Sequence, residues 1–400
     1  SDVGIINPWV MYQQTGDASI LRENWDAMVH YMDTLQANEH GENHAPLDLG
    51  GSNNYGDWLS FQGTSVAVIS DYYYGYVTQI MSKIAGILGE TEKEEAYKQK
   101  FEDLKSTFLS TYVTFADGNL VIDSGNTDTQ NYQFFGQGYN ADGSPKKGGV
   151  WEDNSQTALL WMLKLGYYDS DEMREAAEEL LVENVKNENP DQNSIRSKYG
   201  KNTLATGFLG ANVITPVLSD FGYGDVAYDL LLQDEQPSWL YEVKAGATTI
   251  WERWNSYTAG VGFGDSEMNS FNHYAYGAVV EWMYRYMAGI SADEENPGFK
   301  HIILQPTLDT GAAYNEEARI HSVEGIYESY MGEIQSSWTS TGEGEETELE
   351  TYHAVIPANT TATLYLPADE SKIDGFKTIT GVTGVESAVH NGEQTIKMTL

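Results

Sequence analysis

Residues 62–115 read QGTSVAVISDYYYGYVTQIMSKIAGILGETEKEEAYKQKFEDLKSTFLSTYVTF. The stretch is periodic on both sides of one break. Gln62–Leu88 is almost wholly apolar and aromatic at helical spacing and stops at Gly89. Thr91–Phe115 then repeats an apolar residue every three or four positions, with charges between. A glycine accepts the left-handed conformation that ends a helix, and a polar residue after it caps the next one. The stretch therefore predicts a pair of helices joined as a hairpin.

The same punctuation recurs along the first three-quarters of the chain. Asn7–Thr15 stops at Gly16 and Ala18–Gln36 follows; Ser155–Leu165 stops at Gly166 and Ser170–Asn187 follows. Leu209–Phe221 stops at Gly222 and Asp225–Asp234 follows, and Tyr274–Ala288 is a last helix. About nine helices in hairpins predict an α/α toroid, and an (α/α)6 barrel of twelve would lack its first three or so. After Pro297 the pattern changes to period two, over Ile302–Leu304, Ala318–Tyr330, Gly332–Thr339, Glu348–Val355, Thr361–Leu366 and Thr395–Leu400. These short runs, separated by Gly, Pro and Asn, predict an antiparallel β-sandwich of about 100 residues. The expected class is mainly α with a β domain: residues 1–296 form the incomplete barrel and 297–400 the sandwich. The acidic Gly342–Glu350 stretch reads as a solvated hairpin end.

Composition excludes several function classes. With 60 acidic and 22 basic residues in 400, the formal charge is −38. Such a surface repels phosphate backbones and anionic lipid, so neither nucleic acid nor a membrane is an expected partner. No apolar run approaches the roughly 18 residues of a membrane span. There are no cysteines, which removes disulfide scaffolds, Cys-ligated zinc and thiol nucleophiles. Their lack fits a reducing, cytoplasmic setting, although many secreted bacterial enzymes share it. The eight histidines show no HExxH-type spacing, and no GxGxxG, P-loop or GxSxG elbow occurs, so no metal or cofactor is expected. The excess of 10 Trp, 27 Tyr and 12 Phe suits helix interfaces, and some of these rings suit the flat apolar faces of sugars.

Unusual residues cluster just before alternate helices. They are Asp2 and Trp9, Tyr55-Gly56-Asp57-Trp58, Trp151-Glu152-Asp153, Trp251-Glu252-Arg253-Trp254 and His273. Alternate helices of a hairpin toroid begin at the same end, so these loops should converge on one aromatic, acidic face. Hydrolysis of a glycosidic bond needs two carboxyl groups, one to protonate the leaving oxygen and one to activate water or attack. Asp57, Glu152, Asp153 and Glu252 are the candidates. Glu252 stands out because Trp251 and Trp254 flank it, and low local polarity favours a base. An ion pair with Arg253 inside the loop is the structural alternative. His273 could equally be a histidine packed at a helix start.

Five ordered stretches carry a family resemblance. They are Asn53-Asn54-Tyr55-Gly56-Asp57-Trp58-Leu59, Leu204-Ala205-Thr206-Gly207-Phe208-Leu209-Gly210, Pro237-Ser238-Trp239-Leu240-Tyr241 leading to Gly246–Ser256, Ser270-Phe271-Asn272-His273-Tyr274-Ala275-Tyr276-Gly277, and Pro297–Ile303 with Ile356–Ala362. The chain resembles the family 78 α-L-rhamnosidases, inverting glycosidases on an (α/α)6 barrel followed by a β domain. The resemblance implies a rhamnose-containing glycoside or oligosaccharide as substrate. It implies that Glu252 is the general base, that His273 contacts the sugar, and that Asp57 and Trp58 line the rhamnose pocket, with Trp251 and Trp254 shaping it. The family's general acid lies in an Asp-Cys-Pro-x-Arg-Glu motif that nothing in this chain matches. The expectation is a C-terminal portion of a longer rhamnosidase, inactive without its N-terminal segment. Two rival expectations remain: a sugar-binding module without catalysis, and another (α/α)6 carbohydrate enzyme such as a phosphorylase or lyase.

Overall fold

A computed structural model describes residues 2–46, 55–123 and 150–400. Helices α1 (Val3–Thr15) and α2 (Ser19–Ala37) come first. A short strand β1 (Gln62–Gly63) precedes α3 (Val66–Leu88) and α4 (Thr91–Tyr112). Strands β2 (Val113–Ala116), β3 (Asn119–Ile122) and β4 (Val150–Trp151) follow, then α5 (Gln156–Leu165) and α6 (Asp171–Lys186). Shorter helices α7 (Phe208–Ala211), α8 (Ile214–Asp220), α9 (Gly224–Leu232) and α10 (Trp239–Lys244) lead to the two-residue strands β5 (Tyr257–Thr258) and β6 (Gly262–Phe263).

The chain divides into two compact units. One comprises Ser1–Trp9, Leu21–Val217 and Gln233–Gly277; the other comprises Val10–Ile20, Leu218–Leu232 and Ala278–Leu400.

In the first unit the hairpins sort into inner and outer helices by burial. Helix α3 buries residues all round, among them Val68, Ile69, Tyr72, Val77, Met81 and Ile84. Its partner α4 buries only Tyr97, Leu104, Phe108, Leu109 and Tyr112. Helix α5 is almost wholly buried, whereas α6 buries the stripe Met173, Ala177, Leu181 and Val185 at four-residue spacing. Each fully buried aliphatic side chain contributes about 1.5–3 kcal/mol. Serines cap the starts: Ser65, Ser155 and Ser170 accept from the N–H groups of Val68, Ala158 and Met173. Gly89 and Gly166 end α3 and α5 at φ of 78° and 69°. The inner helices meet where Tyr72 donates to Ala158 O at 2.9 Å.

Several boundaries differ from the sequence reading. Helix α3 begins at Val66 because Gln62 and Gly63 pair in parallel with Val150 and Trp151. Helix α4 ends at Tyr112 because residues 113–122 form an antiparallel hairpin. Its Asp117-Gly118 turn takes positive φ at both positions, the geometry that matches the twist of a two-residue hairpin. The single helix expected over Leu209–Phe221 is two, α7 and α8. Pro216 has no N–H to continue a helix from Asn212, but is tolerated in a fresh first turn. The segment expected as helix Tyr274–Ala288 begins as a 3₁₀ turn at Ala275–Ala278, becomes α11 (Val279–Trp282) and widens to a π turn at Met283–Met287.

The second unit carries two sheets. One is three-stranded, with order β11 (Glu348–Val355), β10 (Gly332–Thr341), β9 (Ser322–Ser329). The other is five-stranded, with order β13 (Gly384–His390), β14 (Glu393–Thr399), β12 (Thr361–Leu366), β8 (His301–Leu304), β7 (Ile290–Ala292). The expectation of purely antiparallel strands is corrected at one pairing, since β8 and β12 run parallel from His301/Thr361 to Leu304/Leu364. The long chain between them, which forms the other sheet, makes the parallel return possible. Alternate residues Ile302 and Leu304, Ala362, Leu364 and Leu366, and Ile396 and Met398 share one apolar cluster with Ile334. The acidic stretch forms the β10–β11 connection, with a 3₁₀ turn at Gly344–Glu346.

Candidate active site

The organising element of the site is the segment 204–211, in the first unit. Its backbone is gripped by Asp57, which is 4% exposed. Asp57 Oδ2 accepts from Thr157 Oγ1 at 2.5 Å and Gly207 N at 2.8 Å. Its Oδ1 accepts from Leu209 N at 2.7 Å and Gly210 N at 3.2 Å. Burial pushes the Asp57 pKa up, against the opposing pull of these four donors. Gly207 is needed here for room: a Cβ would lie 2.2 Å from Trp58 O and 2.6 Å from Asp57 O. Phe208 N in turn donates to Trp58 O at 3.0 Å. Trp58 is half-buried, edge-on to Tyr55 at 5.3 Å. Asn53 and Asn54, which open the sequence motif, lie outside the described residues.

Residues 250–254 reach the same segment from the other side. Trp254 is fully buried, donates its indole N–H to Thr206 O at 2.8 Å and stacks on Tyr276 at 3.7 Å and 17°. Trp251 is nearly buried and edge-on to Phe271 at 5.3 Å. The backbone of 250–252 pairs with 270–273: Glu252 N donates to Ser270 O, and His273 N to Ile250 O, both at 2.9 Å.

Glu252 is 7% exposed. Its Oε2 accepts from Ser270 N at 2.8 Å. Its Oε1 has no hydrogen-bond partner among the described residues. The alternative of an ion pair with Arg253 is not what forms, since Arg253 Nη1 lies 3.5 Å from Asp265. His273 stacks on Phe208 at 4.9 Å and on Tyr274 at 5.4 Å. Its Nδ1 accepts from Ala275 N at 3.3 Å. In the neutral ring that leaves the proton on Nε2, as a donor.

Asp57, Trp58, Trp254 and His273 are thus all joined through Thr206–Gly210, and Glu252 and Trp251 through the backbone pairing of 250–252 with 270–273. Other acidic candidates sit elsewhere. Glu152 binds Gln62 Nε2 at 2.9 Å, Ser194 Oγ at 2.6 Å and Ile195 N at 2.5 Å. With Asp153 and the buried Arg196 it borders a separate cleft of about 680 Å³. Asp2 accepts from Tyr31 Oη at 2.9 Å, and Trp9 lies beneath Lys83 Nζ at 5.8 Å.

Two residues of the site escaped the sequence reading. Phe208 is the ring that joins His273 to Tyr276, at 5.3 Å from the latter. Glu242, on α10, is 2% exposed and accepts Trp251 N at 3.2 Å. Burial pushes its pKa up to about 8. Its spacing of three from Trp239 places both on one helix face, which was the available signal.

A family model described as the bacterial alpha-L-rhamnosidase 6 hairpin glycosidase domain matches residues 1–287, and the corresponding C-terminal domain matches residues 289–379. The chain belongs to this family. An alpha-L-rhamnosidase of Formosa agariphila is 30% identical over 380 residues, covering 93% of this chain and 34% of that protein. One of Streptomyces avermitilis is 30% identical over 369 residues, covering 92% of this chain and 29% of that protein. Among solved structures, the Streptomyces avermitilis alpha-L-rhamnosidase complexed with L-rhamnose matches with a TM-score of 0.72 at 28% identity, covering 99% of this chain and 32% of that one. The chain therefore spans about a third of the length of the curated rhamnosidases it matches. Its architecture is the family's: a helical six-hairpin glycosidase domain and a C-terminal β domain.

Proposed function

We propose that this chain supplies the general base and the sugar pocket of an inverting α-L-rhamnosidase, built on an (α/α)6 barrel and completed by a β-sandwich. The observation that carries the reading is Glu252, with one oxygen anchored on Ser270 N–H and the other without a partner among the described residues. That is the arrangement a general base needs: a fixed carboxylate with a lone pair left for water. In this reading Oε1 takes a proton from water, and the water oxygen attacks the anomeric carbon from the face opposite the leaving group. The C–O bond to the aglycone breaks, and an acid returns a proton to the leaving oxygen. Trp58 and Trp251 offer apolar walls for a deoxy sugar, and His273 Nε2–H donates to a hydroxyl. Asp57 and Trp254 shape the pocket by fixing the Thr206–Gly210 wall. A neutral sugar suits a chain of charge −38.

In an inverting site the acid stands roughly 6.5–9.5 Å from the base, leaving room for the water. We place that acid outside these 400 residues. The support is compositional: without cysteine the chain holds no Asp-Cys-Pro-x-Arg-Glu motif, and it spans about a third of its relatives. The test is hydrolysis of an aryl α-L-rhamnoside by this chain alone and by the chain extended with the coding sequence upstream of Ser1. The first should show little turnover and the second robust turnover, with β-L-rhamnose as the first product by NMR. Full activity of the 400 residues alone would overturn the placement of the acid. Rhamnose binding without turnover by the extended protein would favour a binding module.

A further inference from the structure

Glu242 is a carboxyl group that the proposed reaction does not use, yet it touches the segment that carries the base. It lies on α10, whose first turn is capped by Ser238 accepting Tyr241 N at 3.2 Å. Trp239, three residues earlier, donates its indole N–H to Tyr276 O at 2.9 Å and stands edge-on to Trp254 at 5.7 Å. This aromatic packing drives Glu242 inward. Its Oε2 accepts from the N–H of Trp251, the residue before Glu252. Its Oε1 is buried without a hydrogen-bond partner. Among the described residues no Lys, Arg or His pairs with it. The charged groups that act on the neighbouring Tyr276 are Asp57, Glu242 itself, Arg253 and Glu252. Arg253, the one cation among them, has Asp265 beside its Nη1. The Tyr276 hydroxyl is itself buried and unpartnered.

An ionised carboxylate in that place would have one hydrogen bond and no counterion. A buried group so placed keeps its proton and stays neutral. We propose that Glu242 is a positioning residue that holds the Glu252 segment as a neutral carboxylic acid, and that loss of its proton opens the segment and misplaces the base. The neutral acid accepts the Trp251 N–H and brings no net charge into the buried site. The anion needs water at Oε1, and admitting it displaces Trp251, hence Glu252. Burial pushes the Glu242 carboxyl up to about 8, so the opening grows as the pH rises from the ordinary carboxyl range toward 8 and is complete above it. The catalytic consequence rests on the reading of Glu252 as base; the opening of the segment does not.

The test separates the two. Amide hydrogen exchange of this 400-residue chain is followed by mass spectrometry between pH 6 and pH 9, corrected for intrinsic exchange, in peptides covering 246–256 and 268–276. The wild type should lose protection there as the pH rises from 6 toward about 8, by up to about tenfold per pH unit, and level off above that. Glu242→Gln keeps the acceptor and cannot ionise, so it should stay protected throughout. In the catalytically complete enzyme, the alkaline limb of kcat should move upward in Glu242→Gln, while KM changes little. Identical exchange in wild type and Glu242→Gln would overturn the proposal, as would lower protection of Glu242→Gln already at pH 6. If the exchange difference is found but Glu252→Gln retains full activity, the reading of Glu252 fails and the Glu242 switch stands.

Discussion

Glu252 and Ser270 are bound to each other twice: Glu252 N donates to Ser270 O at 2.9 Å, and Ser270 N donates to Glu252 Oε2 at 2.8 Å. The double contact fixes the carboxylate against the backbone segment beside it. A Gln at 252 would still accept from Ser270 N through its amide oxygen but would have no basic lone pair for water. Glu252→Gln should therefore lower kcat of the complete enzyme by about 10²–10⁴-fold, the usual worth of a general base. Thermal stability should be unchanged. A loss of stability parallel to the loss of rate would assign Glu252 to the fold instead.

Asp57 has the opposite character. All four of its contacts are donors, and three are backbone N–H groups of 207–210. Asp57→Ala leaves these without an acceptor, and each buried unmet donor costs about 1–3 kcal/mol. We expect at least about 3 kcal/mol of destabilisation by urea unfolding, together with loss of rhamnose binding as the Thr206–Gly210 wall shifts. Asp57→Asn keeps one oxygen as acceptor but turns an N–H₂ toward other donors, so it should fall between the two. An Asp57→Ala variant of undiminished stability would contradict the clamp.

The hairpins and the Glu252 loop were legible in the sequence for local reasons. Gly89 and Gly166 stop helices, Ser65 and Ser155 start them, and a glutamate between indoles is conspicuous at any distance. Asp57 was visible as a carboxylate but not as a clamp, because Thr157 and Gly207 lie 100 and 150 residues further along. Glu242 was hidden for a related reason. A six-residue helix carries too little periodicity to announce which face is buried, and its burial is decided by Tyr276 and Trp251. The β2–β3 hairpin carried its signal in Asp117-Gly118, but the helical pattern leading into Tyr112 continues for three residues past the true end. The parallel pairing of β8 with β12 depends on where a long return deposits the strand, which alternation along either strand does not encode.

Gly75 tests how closely α3 approaches the residue that follows α5. A Cβ at Gly75 would lie 1.9 Å from Tyr167 Oη, a buried hydroxyl with no hydrogen-bond partner. Gly75→Ala should cost about 1–3 kcal/mol by overpacking. Tyr167→Phe alone should cost little, since the hydroxyl satisfies nothing. Combined, the two should recover part of the Gly75→Ala loss, with a coupling of about 0.5 kcal/mol or more in a double-mutant cycle. Additive losses would mean that the helix relaxes away from Tyr167.

The β domain offers a pH test that is independent of the site. His390 lies flat on Tyr365, with centroids 3.7 Å apart and planes 7° from parallel, and its Nε2 meets Gln305 Oε1 at 2.6 Å. Burial lowers its pKa to about 4. An unfolded histidine titrates near 6.5, so between those values the unfolded chain binds a proton that the folded chain refuses. The stability contributed by the neutral ring is complete above about pH 6.5 and is lost as the pH falls toward 4, by up to about tenfold in the unfolding constant per pH unit. His390→Phe keeps the stack on Tyr365 and loses the bond to Gln305, which gives a constant offset but no titration. The wild-type unfolding midpoint should therefore fall relative to His390→Phe across pH 6.5 to 4. A constant difference over that range would mean that His390 takes up its proton in the folded protein as readily as in the unfolded one.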